Sequence, residues 1–307
     1  MNIKEKKSLI VLTLIVIIVV SSSIYLLTGN LLQSEKITIP NETPPEAQLK
    51  ITGNVKTEKT ITFTDLLQLP LKSVKATVNG ESATYVGVTL TELLNKTGAE
   101  WDAGFISVIS DETIRCTIDV YQAFNSTLYE GSEIILAFIK NGQWITNNNG
   151  GTFAFITPDL NPTSNVMSVN EINLQPWIIT VNGKVNNPLV ITSAELSTFE
   201  TKTVQATYAP GSGPQRTSNW TGITVSSILQ IAEISSDSET ITVSGIDGYN
   251  IEYTIEQVEN LDIMICFQEN SVPLSSSTSQ PYRLIVPTED YKWAQFWVKW
   301  VAEIRIS

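Results

Sequence analysis

The chain has 307 residues, 42% of them hydrophobic and 16% charged, a composition that excludes a disordered protein and is sufficient for two domains with cores of their own. Its formal net charge is −12 at pH 7, which argues against nucleic acid as a partner. Because histidine is absent, a Ser-His or Cys-His nucleophile pair is excluded, and so is any metal site that needs imidazole.

The first predicted element is a membrane-spanning helix at residues 9–27. This uncharged run would extend about 28 Å as a helix, which is close to the apolar thickness of a bilayer. Lys4, Lys6 and Lys7 precede it, so the positive-inside rule places residues 1–8 in the cytoplasm and the bulk of the chain outside it. The run would then be the signal anchor of a single-pass membrane protein. Cleavage as a signal peptide, giving a secreted protein, is the alternative.

Residues 28–48 are predicted to be a linker, because Pro40, Pro44 and Pro45 interrupt regular structure. As a coil this segment would average about 25 Å between its ends and would lift the folded part off the membrane. Four Asn-x-Ser/Thr sequons are compatible with glycosylation outside the cell. These sequons begin at Asn41, Asn95, Asn125 and Asn219.

An internal repeat follows the linker. Residues 51–78 match residues 181–208 without a gap, and nine of the 28 aligned positions are identical. Similar segments then recur in the same order in both halves. We therefore predict two tandem domains, repeat 1 at residues 49–175 and repeat 2 at residues 176–307, each of a normal domain size.

Each repeat is predicted to be an α+β domain of short strands and helices. Capped helices of one or two turns are expected at residues 64–67 and 193–196, where a Thr or Ser would form the cap and an acidic residue follows in the first turn. Alternating strands are expected to close the two repeats at 169–174 and 301–306. This mixture of elements is typical of the α+β class.

The two cysteines, Cys116 and Cys266, lie in apolar segments that are predicted to be strands. Buried free thiols are the first interpretation, since unpaired cysteine is among the most buried residue types. A long-range disulfide is the alternative in an oxidising compartment. Two thiols without histidine cannot make a structural zinc site.

Several short motifs recur in order along the two repeats. They are a G-x-V strand, a V-x-A-T strand, an aromatic-x-Gly segment, an Asp-Gly-Tyr turn and a Pro-x-Arg-Leu strand. In the chain they lie at 53–55, 74–77, 85–87, 220–222, 247–249 and 281–284. This order resembles the molybdopterin-binding domain of sulfite-oxidase-like oxidoreductases. The resemblance implies that fold in two copies, and it implies pterin binding and redox chemistry wherever the family's functional residues are kept.

The chain departs from the family that it resembles at the metal. That family holds molybdenum through a cysteine thiolate just after the V-x-A-T strand. At that place this chain has Val78-Asn79-Gly80 in repeat 1 and Tyr208-Ala209-Pro210 in repeat 2, beginning with Val78 and Tyr208. Neither residue can replace a soft thiolate ligand. Cys116 and Cys266 lie elsewhere in the pattern, so neither is carried over as the ligand. We therefore predict no metal ligand and no catalytic residue.

Four polar residues of repeat 2 resemble the family's ligand-binding set. These residues are Arg283, Lys299, Asp247 and Tyr249. An arginine can form a forked pair of hydrogen bonds with a phosphate or carboxylate, and a lysine can supply a second positive charge. An ion pair between Arg283 and an acidic residue at a domain surface is the alternative. Repeat 1 has Ala154 in place of this arginine, and is expected to be closer to a scaffold.

Five aromatic residues lie close together before the last strand. They could form a stacking platform for sugars or other ligands, or they could pack the last strand and the interface between the repeats. These residues are Tyr291, Trp293, Phe296, Trp297 and Trp300.

Three functional hypotheses follow from these features. The first is a membrane-tethered, non-catalytic binding or interaction module on the molybdopterin-binding fold, with no cofactor. The second is an oxidoreductase that binds molybdopterin through repeat 2 without a cysteine ligand. The third is a cell-surface protein that binds glycans or another protein through the aromatic end. The sequence does not name the small molecule or protein that would be the ligand.

Overall fold

The computed structural model of the chain describes residues 37–100, 102–119, 133–146, 151–157, 164–274 and 281–307. The predicted membrane helix and residues 28–36 of the predicted linker lie outside these residues. The described part of the linker contains no helix or strand before β1 begins at Gln48. Within the described part of the chain, no helix has the length and apolar character needed to cross a membrane. The chain divides into two compact units, Met1–Pro40 and Asn41–Ser307, and the second unit carries both repeats.

Repeat 1 is built mostly from strands, with two short helices in the described residues. Its helices are α1 (Phe63–Leu66) and α2 (Leu90–Thr97). Its strands are β1 (Gln48–Gly53), β2 (Lys59–Thr62), β3 (Leu71–Val78), β4 (Glu81–Thr89), β5 (Ala103–Ser110), β6 (Thr113–Asp119), β7 (Ile135–Lys140), β8 (Gln143–Trp144), β9 (Ala154–Ile156) and β10 (Glu171–Pro176).

Among the described residues, repeat 2 follows the same order and has a third short helix after its sixth strand. Its helices are α3 (Ser193–Leu196), α4 (Val225–Ala232) and α5 (Ile255–Asn260). Its strands are β11 (Ile179–Gly183), β12 (Leu189–Ile191), β13 (Lys202–Tyr208), β14 (Arg216–Thr224), β15 (Thr240–Gly245), β16 (Asn250–Thr254), β17 (Met264–Glu269), β18 (Val272–Pro273), β19 (Arg283–Ile285) and β20 (Val301–Ile306). Two 3₁₀ turns precede β20, at Glu289–Tyr291 and Ala294–Phe296.

The two repeats have the same sheet topology. Each contains a five-stranded mixed sheet, in the order β2-β1-β10-β5-β6 in repeat 1 and β12-β11-β20-β15-β16 in repeat 2. Each also contains a second sheet, β3-β4-β7-β8 with β9 on β7, and β13-β14-β17-β18 with β19 on β17. The parallel strand pair has the same register in both, since Gly53 lies opposite Leu174 and Gly183 opposite Ile306. The match at a constant offset therefore reflects a repeated backbone.

A bulge at a glycine recurs in the second sheet of each repeat. The register shifts between Val86 and Gly87 in β4, and between Thr221 and Gly222 in β14. A Cβ atom at Gly87 would lie 1.9 Å from the carbonyl oxygen of Leu136 on β7. The aromatic-x-Gly motif thus marks a place where two backbones approach too closely for any side chain.

The first helix of each repeat is capped, but not by the predicted residue. The caps are Thr62 and Thr192, which precede the Thr and Ser that were predicted for this role. Each threonine forms a reciprocal capping box with the acidic residue three positions later, Asp65 or Glu195. The hydrogen bond from the threonine holds the pKa of each carboxyl below its usual value. The identical threonines were therefore the stronger capping signal.

Ion pairs between the strands also follow the repeat. Lys72 pairs with Glu133, and the identical Lys202 pairs with Asp262. In a second ion pair the two charges are exchanged between the repeats. Glu81 of repeat 1 occupies the place of Arg216 in repeat 2, and its partner Lys140 occupies the place of Glu269. At least one partner of each pair is exposed to solvent, although Lys140 and Glu269 are mostly buried, so each pair contributes little to stability.

The two repeats share a buried junction within the second unit. Trp177, between β10 and β11, is fully buried and its indole N–H donates to the carbonyl oxygen of Val301 at 2.7 Å. Its ring stacks on Phe105 at 6.0 Å, and its backbone passes so close to Gly104 that a Cβ there would lie 2.4 Å from the Trp177 Cα atom. The segment that joins the repeats is therefore packed and is not a free linker.

Candidate ligand-binding cleft

A cleft of about 260 Å³ in repeat 2 brings together all four residues that the sequence singled out. One side comes from the second sheet of the repeat, through Tyr208 and Arg283. The other side comes from the turn between β15 and β16 and from the segment before β20. The lining residues are Tyr208, Asp247, Tyr249, Arg283, Ala294, Trp297, Lys299 and Trp300. Residues from separate segments of the chain, between Tyr208 and Trp300, thus form one concave surface.

Arg283 lies at the base of the cleft and is only 2% exposed. It is the first residue of β19, which pairs with β17 so that Arg283 lies opposite Cys266. Its guanidinium carbon is 4.2 Å from the ring centre of Tyr208, 5.2 Å from that of Trp297 and 5.6 Å from that of Trp220. The alternative placement at a domain surface is wrong, since aromatic faces enclose this side chain.

The positively charged guanidinium of Arg283 lies among aromatic rings. Burial lowers the pKa of its guanidinium, and the nearby Tyr208 and Glu269 oppose that effect. Because an arginine begins from a very high pKa, the group stays positively charged at neutral pH. A buried cation with fixed orientation interacts more strongly with an anion than an exposed cation does.

The predicted Asp-Gly-Tyr turn joins β15 to β16 and forms one wall of the cleft. Asp247 Oδ1 accepts a hydrogen bond from the backbone N–H of Tyr249 at 3.1 Å, and Gly248 has a positive φ of 84° that suits a glycine. The Tyr249 hydroxyl donates to the carbonyl oxygen of Gln295 at 2.7 Å. The turn is therefore tied to the segment before β20, which forms the same side of the cleft.

Lys299 supplies the second positive charge of the cleft. Its ammonium nitrogen lies 5.5 Å from the ring centre of Trp300. Trp300 has a positive φ of 49°, and its carbonyl oxygen accepts a hydrogen bond from the N–H of Ile246 at 3.0 Å. The backbone directly after Lys299 is thus fixed against the turn that carries Asp247.

The five aromatic residues before β20 do not form a common exposed platform. Trp297 is 2% exposed, and its indole N–H donates to the carbonyl oxygen of Tyr291 at 2.9 Å. Trp293, by contrast, is 47% exposed. Tyr291, Phe296 and Trp300 are partly buried. Trp297 therefore packs in the buried cluster of the second sheet of repeat 2, and the exposed stacking platform is wrong for that residue.

The corresponding region of repeat 1 is filled by apolar side chains. Ala154 takes the place of Arg283, and Val78 takes that of Tyr208. Both belong to one buried cluster with Tyr85, against which the partly buried Met167 packs. Among its described residues, this region carries no counterpart of the buried charge of repeat 2, and the scaffold role of repeat 1 stays a prediction.

Both cysteines are free thiols, so the alternative disulfide is absent; Cys266 is buried as the first interpretation expected, whereas Cys116 is only partly buried. Cys266 is fully buried behind Arg283, and burial raises its pKa well above the ordinary value. Burial also raises the pKa of Cys116. Neither thiol is therefore poised to ionise, which a metal-ligating thiolate must do. In the described residues, no group of three Cys, Asp or Glu side chains is placed to hold a metal ion.

Two features of the chain decide its family, namely the duplicated backbone and the order of its motifs. The sequence profile described as "Oxidoreductase molybdopterin binding domain" matches residues 36–176 and again residues 166–307. The chain belongs to this family. The predicted resemblance is thereby confirmed, in two tandem copies.

Comparison with other proteins adds little to the family assignment. Among solved structures, the sulfane dehydrogenase SoxCD from Paracoccus pantotrophus matches with a TM-score of 0.39 and 23% identity. The match covers 42% of this chain and 38% of that chain, so well under two thirds of the SoxCD chain is matched. No curated protein sequence matches the chain.

The residues at the place of the family's metal do not fit a thiolate-held molybdenum. Tyr208 lies there in repeat 2, with its ring against Arg283 and 5.1 Å from the ring of Trp297. Val78 lies there in repeat 1, within the apolar cluster. The absence of a metal ligand stays a prediction of the sequence. Sequence reasoning did not anticipate that Tyr208 and Trp220 would enclose Arg283. A signal was present, since both aromatic residues belong to the motif strands that carry the resemblance.

Proposed function

We propose that this member of the molybdopterin-binding family is a non-catalytic binding module that holds a small anionic ligand in the cleft of repeat 2. The observation that carries the proposal is the convergence of Arg283 and Lys299 on one cleft, beside a tyrosine at the place of the metal-holding thiolate. The retained positive charges favour an anion, while the lost thiolate removes the means of holding the metal.

The cleft is suited to binding because its charges are fixed in position before a ligand arrives. Strand pairing and three aromatic rings hold Arg283, and the ordered backbone around Trp300 holds Lys299. Little conformational entropy is then lost when an anion binds, and preorganisation of this kind raises affinity. The net charge of the whole chain is negative, so this cleft is a local exception to the acidic surface.

The proposed location is the outer face of a membrane, with residues 9–27 as the anchor and residues 28–48 as the linker. The support is the uncharged length of the first segment and the lysines before it. Repeat 1 would act as a scaffold between the linker and the ligand-binding repeat.

We expect the full-length chain, purified in detergent, to bind the dicarboxylate glutarate and inorganic phosphate through this cleft. Lys299→Gln should weaken binding by roughly 10- to 100-fold, since a hydrogen bond between charged groups contributes about 1.5–3 kcal/mol. Isothermal titration calorimetry measures the effect. Lys184→Gln is the matched control, because Lys184 pairs with Asp237 and does not line the cleft. Equal affinity in the wild type and Lys299→Gln would contradict the proposal.

A further inference from the structure

The cleft of repeat 2 contains charges of both signs that do not neutralise one another. Among the described residues, Lys299 and Asp247 take part in no salt bridge, although both line the cleft. The ammonium of Lys299 lies near the ring of Trp300, and Asp247 Oδ1 accepts the N–H of Tyr249. A lysine and an aspartate that face one space without pairing leave room for a ligand to interact with both.

We propose that the ligand is a small zwitterion of the dicarboxylic amino-acid class, with one carboxylate toward Arg283, the other toward Lys299, and its ammonium toward Asp247. This inference rests on the proposed function and adds the identity of the ligand class. Two positive groups and one negative group line the cleft. A ligand with two negative groups and one positive group has the complementary set of charges.

The size and the walls of the cleft agree with this ligand class. A volume of about 260 Å³ is below the roughly 300–1,000 Å³ of clefts that hold drug-sized ligands, so a ligand of a few heavy atoms is favoured. The rings of Tyr208, Trp297 and Trp300 provide apolar surface for the short carbon chain of such a ligand. These walls exclude part of the solvent, which strengthens each charge interaction inside.

The decisive comparison uses glutamate and glutarate, two probes that differ only in the ammonium group. We expect the full-length wild-type chain to bind glutamate roughly 10- to 100-fold more tightly than glutarate, because the ammonium gains a charged hydrogen bond that glutarate lacks. Isothermal titration calorimetry at one fixed salt concentration gives both affinities. A simple anion site would show no such preference.

Asp247→Asn tests whether the preference comes from the proposed carboxylate. The asparagine keeps an Oδ1 atom that can accept the N–H of Tyr249, so the turn should be retained while the charge is lost. We expect the variant to lose the preference for glutamate and to bind glutarate at least as tightly as the wild type does, because a negative charge that repels the dicarboxylate is removed. Asp237→Asn is the matched control, since Asp237 pairs with Lys184 outside the cleft, and it should keep the full preference.

Each result decides a different claim. If glutarate binds as tightly as glutamate, or if Asp247→Asn keeps the preference, the zwitterion inference is overturned while the anion-binding module stands. If neither probe nor inorganic phosphate binds, both the inference and the proposed function are overturned. A preference that is lost only in Asp247→Asn supports both.

Discussion

Gly222→Ala is expected to destabilise the protein by about 3 kcal/mol or more, because the new methyl group would collide with the neighbouring strand. An ideal Cβ at this position lies 2.1 Å from the carbonyl oxygen of Ile265 and 2.6 Å from the Cα atom of Cys266. Both are backbone atoms of β17, which cannot move aside without breaking the sheet that carries Arg283. Urea denaturation of the full-length chain, followed by circular dichroism, measures the loss.

Gly211→Ala is the matched control for this substitution. Gly211 lies in the loop between β13 and β14, and a Cβ there meets no atom within 4 Å. We expect a change of less than about 0.5 kcal/mol. The equivalent glycine of repeat 1, Gly87, should behave like Gly222, since its Cβ would lie 1.9 Å from a carbonyl oxygen. A Gly222→Ala variant as stable as the control would contradict the described contact between β14 and β17.

Trp297→Ala should cost about 3–5 kcal/mol, because it removes a large side chain from the core of repeat 2. Trp297 is 2% exposed, and its ring lies 5.1 Å from that of Tyr208 and 5.3 Å from that of Trp220. The substitution would leave a cavity and also remove one of the rings around Arg283. The midpoint and slope of urea denaturation give the change in the free energy of unfolding.

Trp293→Ala provides the control for Trp297→Ala in the same segment. With 47% of its surface exposed, Trp293 should change stability by less than about 0.5 kcal/mol. Equal stability losses for the two variants would refute the assignment of Trp297 to the core. The contrast also means that loss of ligand binding in Trp297→Ala would report unfolding, so binding studies need Lys299 or Asp247 variants.

Much of the fold could be predicted from the sequence because the same order of elements is encoded twice. Identical residues at a constant offset mark positions where the backbone accepts only one residue type. Gly53 and Gly183 are examples, because a side chain at either position would collide with the backbone of the parallel strand beside it. The capping residues were placed slightly too late, since Thr62 and Thr192 also read as the last residues of strands. Helix starts are set by local hydrogen bonds that alternating patterns do not resolve.

Part of the candidate cleft could also be predicted from the sequence. Arg283, Lys299, Asp247 and Tyr249 were selected by their motifs, and the structure brings them together. The sequence could not indicate how deeply Arg283 is buried. Arg283 was expected either to bind a ligand or to form a surface ion pair, yet it is enclosed by rings from β13, β14 and the segment before β20. Burial of a charge depends on tertiary packing between distant strands, which local patterns do not encode.

The metal content of the purified full-length chain tests most directly whether this fold has lost its molybdenum chemistry. The chain should be produced in a host supplied with molybdate and tungstate, beside a family member that has a cysteine after its V-x-A-T strand, which shows that the host can load the cofactor. Mass spectrometry of metals, with pterin fluorescence after denaturation, gives the occupancy. We predict far less than one molybdenum or tungsten atom per chain and no released pterin. One metal atom per chain together with bound pterin would contradict the assignment of Tyr208 and Val78 as replacements of the ligand.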